Sequence, residues 1–158
     1  MIDAIVVINA GSSSIKFALY AIEDMAPVGV FRGQVEGLGT NPRLAAWDRE
    51  NNALAAKALP DSAKHADAIA EVLDWVEGND DDYRLLAAGH RVVHGAERFA
   101  APVEVDSRVL EALDALCPLA PLHQPHNLSA IRAVAQHRPQ LRQVACFDTE
   151  FHQSQPEL

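Results

Sequence analysis

One loop in the sequence has residue types that suit an oxyanion. An apolar run reaches Asn9, the segment Gly11-Ser12-Ser13-Ser14 follows, and Lys16 lies two residues further on. Glycine lets the backbone approach a ligand, the hydroxyl groups add donors, and the lysine adds a positive charge. A Walker loop needs a second glycine before the lysine and a helix after it, and the sequence supplies neither. Two interpretations remain open, a phosphate-binding loop and a serine-rich hairpin turn.

A second candidate is Arg91, which interrupts the apolar segment GHRVVHG. An unpaired buried guanidinium is costly, so we expect this side chain to face an anion, and its planar fork suits a carboxylate or a phosphate. A purely structural ion pair is the alternative. The neighbouring His90 and His94 suggest zinc, but their spacing on a strand separates them by about 13 Å, which is too far to share one ion.

Two further groups stand where α/β proteins place functional residues. His123 lies in the rigid loop PLHQPHN ahead of a helix, where it could donate to a phosphoryl oxygen; a buried, satisfied histidine is the alternative. Asp148 follows an apolar strand, where it could hold a metal or a reacting carboxyl group, or act as a helix cap. Together with Lys16 and Arg91, these groups predict phosphoryl transfer to an anion, which needs positive charge and Mg²⁺.

Apolar patterning predicts the strands that must position these groups. Residues 4–10 predict a strand buried on both faces, and the alternation after Ser14 predicts a second strand that completes a hairpin. Ile15, Phe17 and Leu19 are expected on one side of that second strand. Four further segments are predicted to form strands: 28–38, 43–59, 85–93 and 141–147. The residues expected to supply turns in the first two are Gly29, Gly33, Gly37, Gly39 and Asn51-Asn52.

Three helices are predicted from apolar residues at helical spacing. The first ends at Gly78, the second follows Asp106, and the third uses Asn127 as its N-cap. A run of strands followed by helices that alternate with strands predicts an α/β domain with a mixed sheet.

Composition narrows the class of protein. The chain has 158 residues, of which 49% are hydrophobic and 22% charged, which is typical of one soluble globular domain. A net charge of −9 argues against general binding to nucleic acid or an anionic membrane, but leaves room for a local phosphate site. Cys117 and Cys146 are expected to be reduced and buried. Because neither a signal peptide nor a long apolar stretch is present, we predict a cytoplasmic protein.

Four ordered segments carry the strongest signal in the sequence: VVINAGSSSIKFALY, GHRVVHGAERF, APLHQPHNLSAI and VACFDTEFHQSQP. Over residues 4 to about 156 they resemble the N-terminal part of the acetate kinase family of short-chain acyl kinases. The resemblance implies an actin/Hsp70/sugar-kinase-like (ribonuclease H-like) fold, with residues 1–158 as the first of two domains. It also implies transfer of a phosphoryl group between ATP and acetate, with Mg²⁺, by a cytoplasmic homodimer.

The resemblance assigns roles to nine residues. It implies catalytic roles for Arg91, His123 and Asp148, with Arg91 also binding the substrate carboxylate. It implies contacts with ATP or its phosphates for Asn9, Ser12, Ser14 and Lys16, and places Asn9 at the magnesium. It implies an apolar pocket for the substrate methyl group at Val93 and Leu122. Ala96 and Glu150 depart from the family's usual residues at their positions.

The resemblance also predicts that this chain is incomplete as an enzyme. The second domain, which binds the nucleotide in the family, is absent, so the chain looks truncated and we expect little or no activity from it alone. Positioning across a cleft supplies most of the catalysis in such a reaction. Two alternatives remain: a propionate or other short-chain acyl kinase, and a non-catalytic domain that binds phosphate or nucleotide.

Overall fold

The computed structural model describes residues 1–79, 81–93, 95, 99 and 101–148. Within these ranges a mixed sheet of eight strands carries three helices, which confirms the predicted fold class. The strands are β1 (Ile2–Ala10), β2 (Ile15–Glu23), β3 (Ala26–Glu36), β4 (Arg43–Asp48), β5 (Ala53–Ala58), β6 (Tyr83–Val92), β7 (Val103–Glu104) and β8 (Arg142–Phe147). The helices are α1 (His65–Asn79), α2 (Ser107–Asp114) and α3 (Gln124–His137). The sequence predictions that involve His94, Ala96 and Glu150 lie outside the described residues.

The strand order brings three strand ends to one edge of the sheet. The strands lie in the order β5-β4-β3-β2-β1-β6-β8-β7. The first five form an antiparallel meander, whereas β1, β6 and β8 are parallel, with Ile8 beside His90 and Arg91 beside Cys146. Because parallel strands point the same way, the residues at their carboxyl ends meet at one edge, where α/β sheets place their sites.

The helices cover one face of the sheet. The side chains of Val6 and Ile8 are buried against α1 and α3, whereas Val7 on the opposite face is 37% exposed. The prediction that residues 4–10 are buried on both faces is therefore wrong, because the three helices of the described chain pack against the same face. Cys146 lies on the other face and is exposed, contrary to prediction, and Cys117 is half-buried.

The helix starts were predicted with mixed success. Helix α2 begins directly after Asp106, as predicted. Asp106 is its N-cap, and the carboxylate accepts a hydrogen bond from the backbone N–H of Val109 at 2.8 Å. Helix α3 begins at Gln124, with His123 as its N-cap, so Asn127 lies inside the first turn and its prediction as N-cap is wrong. The reason is Pro125, which fits the first turn of a helix.

No helix in the described ranges is long and apolar enough to span a membrane.

The glycines of β3 have different roles from those predicted. Gly29 and Gly33 were expected in turns but lie within the strand. A Cβ at Gly33 would stand 2.3 Å from Cζ of Phe17 and 2.7 Å from the carbonyl oxygen of Ala45, so only glycine lets the three strands pack together there. Gly37, at φ +76°, does form a predicted turn after the strand.

Candidate functional site

A cavity of about 330 Å³ lies at the edge of the sheet where β1, β6 and β8 end. The hairpin turn after β1, the ends of β6 and β8, and the start of α3 form its walls. Seven of the nine residues selected from the sequence line it: Asn9, Ser14, Lys16, Arg91, Val93, His123 and Asp148. The fold therefore brings together groups that are up to 139 positions apart in the chain (Asn9 to Asp148).

The other two selected residues do not line this cavity. Ser12 is exposed and lines a neighbouring depression, together with Lys64 and His65. Leu122 is 75% exposed, so in this chain it covers no apolar pocket. Val93 and Leu122 were expected to form an apolar wall together, but of these two residues only Val93 lines the cavity.

The turn after β1 is a closed hairpin. The N–H of Gly11 donates to the carbonyl oxygen of Ser14 at 2.8 Å, and the chain continues into β2 rather than into a helix. Asn9 and Lys16 are directly paired across β1 and β2, so their side chains leave the same face of the sheet. The hairpin thereby places a carboxamide and an ammonium group side by side at the cavity.

Arg91 has the anionic partner that its sequence context predicts. Its Nε donates to both oxygens of Asp148, at 2.9 and 3.0 Å, and its Nη2 donates to Oδ2 at 2.6 Å. Hydrogen bonding to Asp148 raises the pKa of the Arg91 guanidinium, so it stays charged. The arginine side chain is 52% exposed rather than buried, because it lies on the sheet face that the helices leave open.

His123 contributes through its side chain rather than through the helix terminus. It is exposed at the N-cap of α3 and makes no side-chain capping hydrogen bond. The first-turn N–H groups are already used: that of Gln124 donates to Ala120, and those of His126 and Asn127 donate to the carbonyl oxygen of His123. An anion in the cavity would therefore meet the imidazole, not free backbone donors, at this end of α3.

His90 has a structural role. It is 2% exposed on the helix-covered face, and its Nε2 donates to Oε1 of Gln143 at 2.6 Å. Burial lowers the pKa of His90 to about 4, so the ring is neutral near pH 7. Among the described residues no cluster of three or more histidine, cysteine or carboxylate side chains could hold a metal ion by itself.

The donor set at the cavity fits a magnesium ion that also binds phosphates. Mg²⁺ takes oxygen ligands and is usually held by one or two carboxylates, with water and substrate phosphates completing its shell. Asn9 offers a carboxamide oxygen and Asp148 a carboxylate, and both line the same cavity. Asp148 also bonds Arg91, so the two groups would share its oxygens.

Sequence reasoning missed two residues that hold the cavity wall. Asn127 is 3% exposed and bonds both the end of β1 and the segment after β6. His65 donates through Nε2 to the carbonyl oxygen of Gly11 at 2.6 Å, and its ring stacks on that of His126 with centroids 5.0 Å apart. Pro125 is the feature of the sequence that could have indicated the buried role of Asn127. A helix that starts near this proline contains Asn127 in its first turn and directs the side chain toward the protein interior.

Comparison with known proteins shows the family of this chain. Residues 4–158 match the acetokinase family. The chain belongs to that family. It is 45% identical over 160 residues to an acetate kinase of Rhodopseudomonas palustris (strain TIE-1), covering 100% of this chain and 40% of that relative. It is 43% identical to an acetate kinase of Pseudomonas aeruginosa (strain LESB58), covering 97% and 38% of the two chains. This acetokinase-family chain thus spans about 40% of the length of the curated relatives it matches.

Solved structures of the family share the fold. A propionate kinase from Francisella tularensis subsp. tularensis SCHU S4 superposes with a TM-score of 0.83 at 36% identity, over 98% of this chain and 39% of that one. An acetate kinase of Porphyromonas gingivalis gives the same TM-score at 34% identity, with the same coverage. The actin-like α/β fold implied by the resemblance is thereby confirmed.

Proposed function

We propose that this chain forms one wall of the phosphoryl-transfer site of an acetate kinase, which converts ATP and acetate into ADP and acetyl phosphate. The observation that carries the proposal is the cavity in which Lys16, Arg91 and His123 meet Asp148. Although the chain has a net charge of −9, this cavity is lined by two cationic side chains. Transfer between two anions requires such local positive charge to offset repulsion and the charge on the transferring group.

Arg91 is the proposed binding group for the substrate carboxylate. Its present partner is itself a carboxylate, held by hydrogen bonds from both Nε and Nη2, so the fork already faces into the cavity in the orientation that a planar carboxylate needs. An incoming carboxylate would exchange with Asp148 on the guanidinium. The methyl group of acetate would then lie on the side of Val93, two residues further along the chain.

The chemistry of the acceptor defines what Asp148 has to do. One carboxylate oxygen of acetate bonds to the γ-phosphorus of ATP, the bond from phosphorus to the bridging oxygen breaks, and ADP leaves with that electron pair. The carboxyl group of the acceptor acid has a pKa of about 4, so it is already ionised at neutral pH. No base is therefore needed to remove a proton from the acceptor. We therefore propose that Asp148 orients Arg91 and offers an oxygen to Mg²⁺, and does not remove a proton.

Lys16, Ser14 and Asn9 are proposed to contact the phosphates of ATP. Lys16 supplies a point charge beside the closed turn, and the hydroxyl of Ser14 supplies a donor. Mg²⁺ held by Asn9 and Asp148 would neutralise charge on the phosphates. We assign Ser12 and Leu122 to the same site by resemblance, at its outer margin, because neither lines the cavity of this chain.

A second domain is proposed to supply the opposite wall. The chain spans about 40% of the length of its relatives, and the site side chains of Arg91 and His123 are exposed. A facing domain that binds adenosine would exclude water from these groups and position the γ-phosphate against the carboxylate. We further propose that the longer protein is a cytoplasmic homodimer.

The test is a hydroxamate assay, in which hydroxylamine traps the acyl phosphate formed from ATP, Mg²⁺ and acetate. It is run on this chain and on the chain extended by the downstream sequence of its gene. We expect product only from the extended chain, and loss of product in its Asp148→Ala variant. Product from neither chain would favour a non-catalytic phosphate-binding domain, and turnover by the 158-residue chain alone would contradict the two-domain proposal.

Propionate is the second candidate acceptor. The propionate kinase of Francisella tularensis superposes as well as the acetate kinase of Porphyromonas gingivalis. One extra methylene is worth about 1–3 kcal/mol in an apolar pocket, so the two acids should differ measurably in kcat/KM. Running the hydroxamate assay with each acid decides between them.

A further inference from the structure

Asn127 joins three of the four segments that form the proposed site. Its Nδ2 donates to the carbonyl oxygen of Ala10 at 2.8 Å, at the end of β1 and next to the hairpin turn. Its Oδ1 accepts from the N–H of Val93 at 3.0 Å, two residues after Arg91. Its own backbone N–H donates to the carbonyl oxygen of His123. One side chain and its backbone thus connect the turn, the arginine strand and the histidine loop.

The two backbone partners fix the orientation of the Asn127 amide, and they require one donor and one acceptor from this side chain. A backbone carbonyl can only accept and a backbone N–H can only donate, so the Asn127 nitrogen must face Ala10 and its oxygen must face Val93. Asn127 is 3% exposed, so losing either bond would leave a buried backbone group without its partner. An apolar side chain of the same shape would leave both backbone groups unsatisfied.

A second contact holds the next carbonyl of the same turn. His65, at the start of α1, donates through Nε2 to the carbonyl oxygen of Gly11, directly after Ala10. Its ring stacks on His126, the residue before Asn127. Two consecutive carbonyls that lead into the hairpin turn are therefore held by neighbouring side chains from two helices, so the turn is placed by tertiary contacts as well as by its own hydrogen bond.

We infer that Asn127 is a positioning residue that sets the Gly11–Ser14 turn in register with Arg91. This inference rests on the proposed function of the cavity. Asn127 lines the cavity wall but acts through the backbone of the groups on either side of it. A displacement of about 1 Å between groups that hold two reactants can cost about 100-fold in rate, so a fixed register matters.

The test compares Asn127→Asp with a matched buried amide, Gln143→Glu. Gln143 is 6% exposed, accepts from His90 and donates to the carbonyl oxygen of Ile131, so the same change of amide to acid removes one buried donor away from the cavity. Each ¹⁵N-labelled chain is titrated with inorganic pyrophosphate at pH 8.5 and 5.5, well below its melting temperature. The readouts are the dissociation constant and the melting temperature, each relative to the parent at the same pH.

We expect Asn127→Asp to bind pyrophosphate about tenfold more weakly at pH 8.5 while still folded, since a carboxylate cannot donate to Ala10. At pH 5.5 the loss should shrink, because burial favours the neutral acid and a protonated carboxyl group donates and accepts as the amide does. Gln143→Glu should lower the melting temperature and leave pyrophosphate affinity within about twofold of the parent. Parental affinity of Asn127→Asp at pH 8.5, a loss equal at both pH values, or an equal loss in Gln143→Glu would each overturn the inference.

A second measurement tests the role of Asn127 even if the proposed function of the cavity is wrong. If the parent chain binds no pyrophosphate, the proposed phosphate site is wrong, and the inference is judged from the backbone amides alone. Asn127→Asp should then shift the amide resonances of residues 11–14 and speed hydrogen exchange at Val93 at least tenfold at pH 8.5. Unchanged resonances and exchange at both segments would show that Asn127 does not set their register.

Discussion

Replacing Asp148 with asparagine should strengthen anion binding at Arg91 in this chain, although the same change should abolish turnover in the longer enzyme. In the chain as it stands, the Asp148 carboxylate occupies the guanidinium through three hydrogen bonds. An incoming anion must displace that carboxylate and tolerate its charge nearby. Asparagine keeps the shape of the side chain, removes its charge and offers the guanidinium only a weaker, neutral acceptor.

The magnitude follows from the exposure of the pair. With side chains 52% and 30% exposed, the Arg91–Asp148 ion pair contributes about 1 kcal/mol, the upper end for solvent-exposed pairs, because its geometry is bidentate. Removing one negative charge about 4 Å from the bound anion adds roughly 1 kcal/mol in water. Together these terms predict that the anion binds about 5- to 30-fold more tightly, since 1.4 kcal/mol is a factor of about ten.

The assay is an NMR titration with inorganic pyrophosphate, without metal, that follows the Arg91 Nε–H resonance. The matched control is Asp3→Asn, which breaks the Arg84–Asp3 pair on the same two strands, β1 and β6, and changes the net charge equally. Affinity should rise in Asp148→Asn and stay at the parental value in Asp3→Asn. Weaker or unchanged binding in Asp148→Asn, or an equal gain in both variants, would refute the reasoning.

Three further predictions concern the fold. Burial lowers the pKa of His90 to about 4 in the folded chain, whereas the unfolded chain keeps the usual value of 6.5. As the pH falls below 6.5, the imidazole of the unfolded chain is protonated first. The free energy of unfolding that is present above pH 6.5 is therefore lost toward pH 4. Urea unfolding should show a loss of about 2 kcal/mol between pH 8 and pH 5 that His90→Gln lacks; an equal loss in both proteins would contradict it. Gly33→Ala should destabilise the chain by at least 1–3 kcal/mol, because its Cβ would overlap Phe17, whereas Gly78→Ala, which meets no atom within 4 Å, should stabilise α1 by about 0.5–1 kcal/mol. Asp106→Ala should cost about 0.5–2 kcal/mol through loss of the α2 N-cap, and an unchanged denaturation midpoint in any of these three variants would count against the packing described.

Local patterns predicted the parts of the fold that depend on neighbours in sequence. The alternation of Ile15, Phe17 and Leu19 predicted the buried face of β2, and the closed turn before it followed from Gly11 and the serines. The asparagine turn between β4 and β5 was predicted for the same reason, with Asn51 at φ 65°. These features are encoded over a few residues, so they can be predicted without knowing the tertiary arrangement.

Features set by long-range packing were not predictable in this way. The exposure of Val7 and Cys146 depends on which face the helices cover, and nothing in β1 or β8 encodes that choice. The sequence indicated that Arg91 needs an anion, but only the pairing of β6 with β8 makes that anion Asp148. The local sequence predicted only that Asn127 caps a helix. Its two backbone partners lie 34 and 117 residues away, so no local pattern indicates that its side chain bonds them.

The central claim is that phosphoryl transfer occurs at the edge of the sheet where β6 ends. The most direct test compares Arg91→Ala with Arg84→Ala in the extended chain by the hydroxamate assay. Both arginines lie on β6 and both pair with an aspartate, but only Arg91 lines the cavity. We expect Arg91→Ala to lower kcat/KM for acetate by at least about 100-fold and Arg84→Ala to stay within about twofold of the parent. Equal rates in the two variants would contradict the assignment of this cavity as the active site.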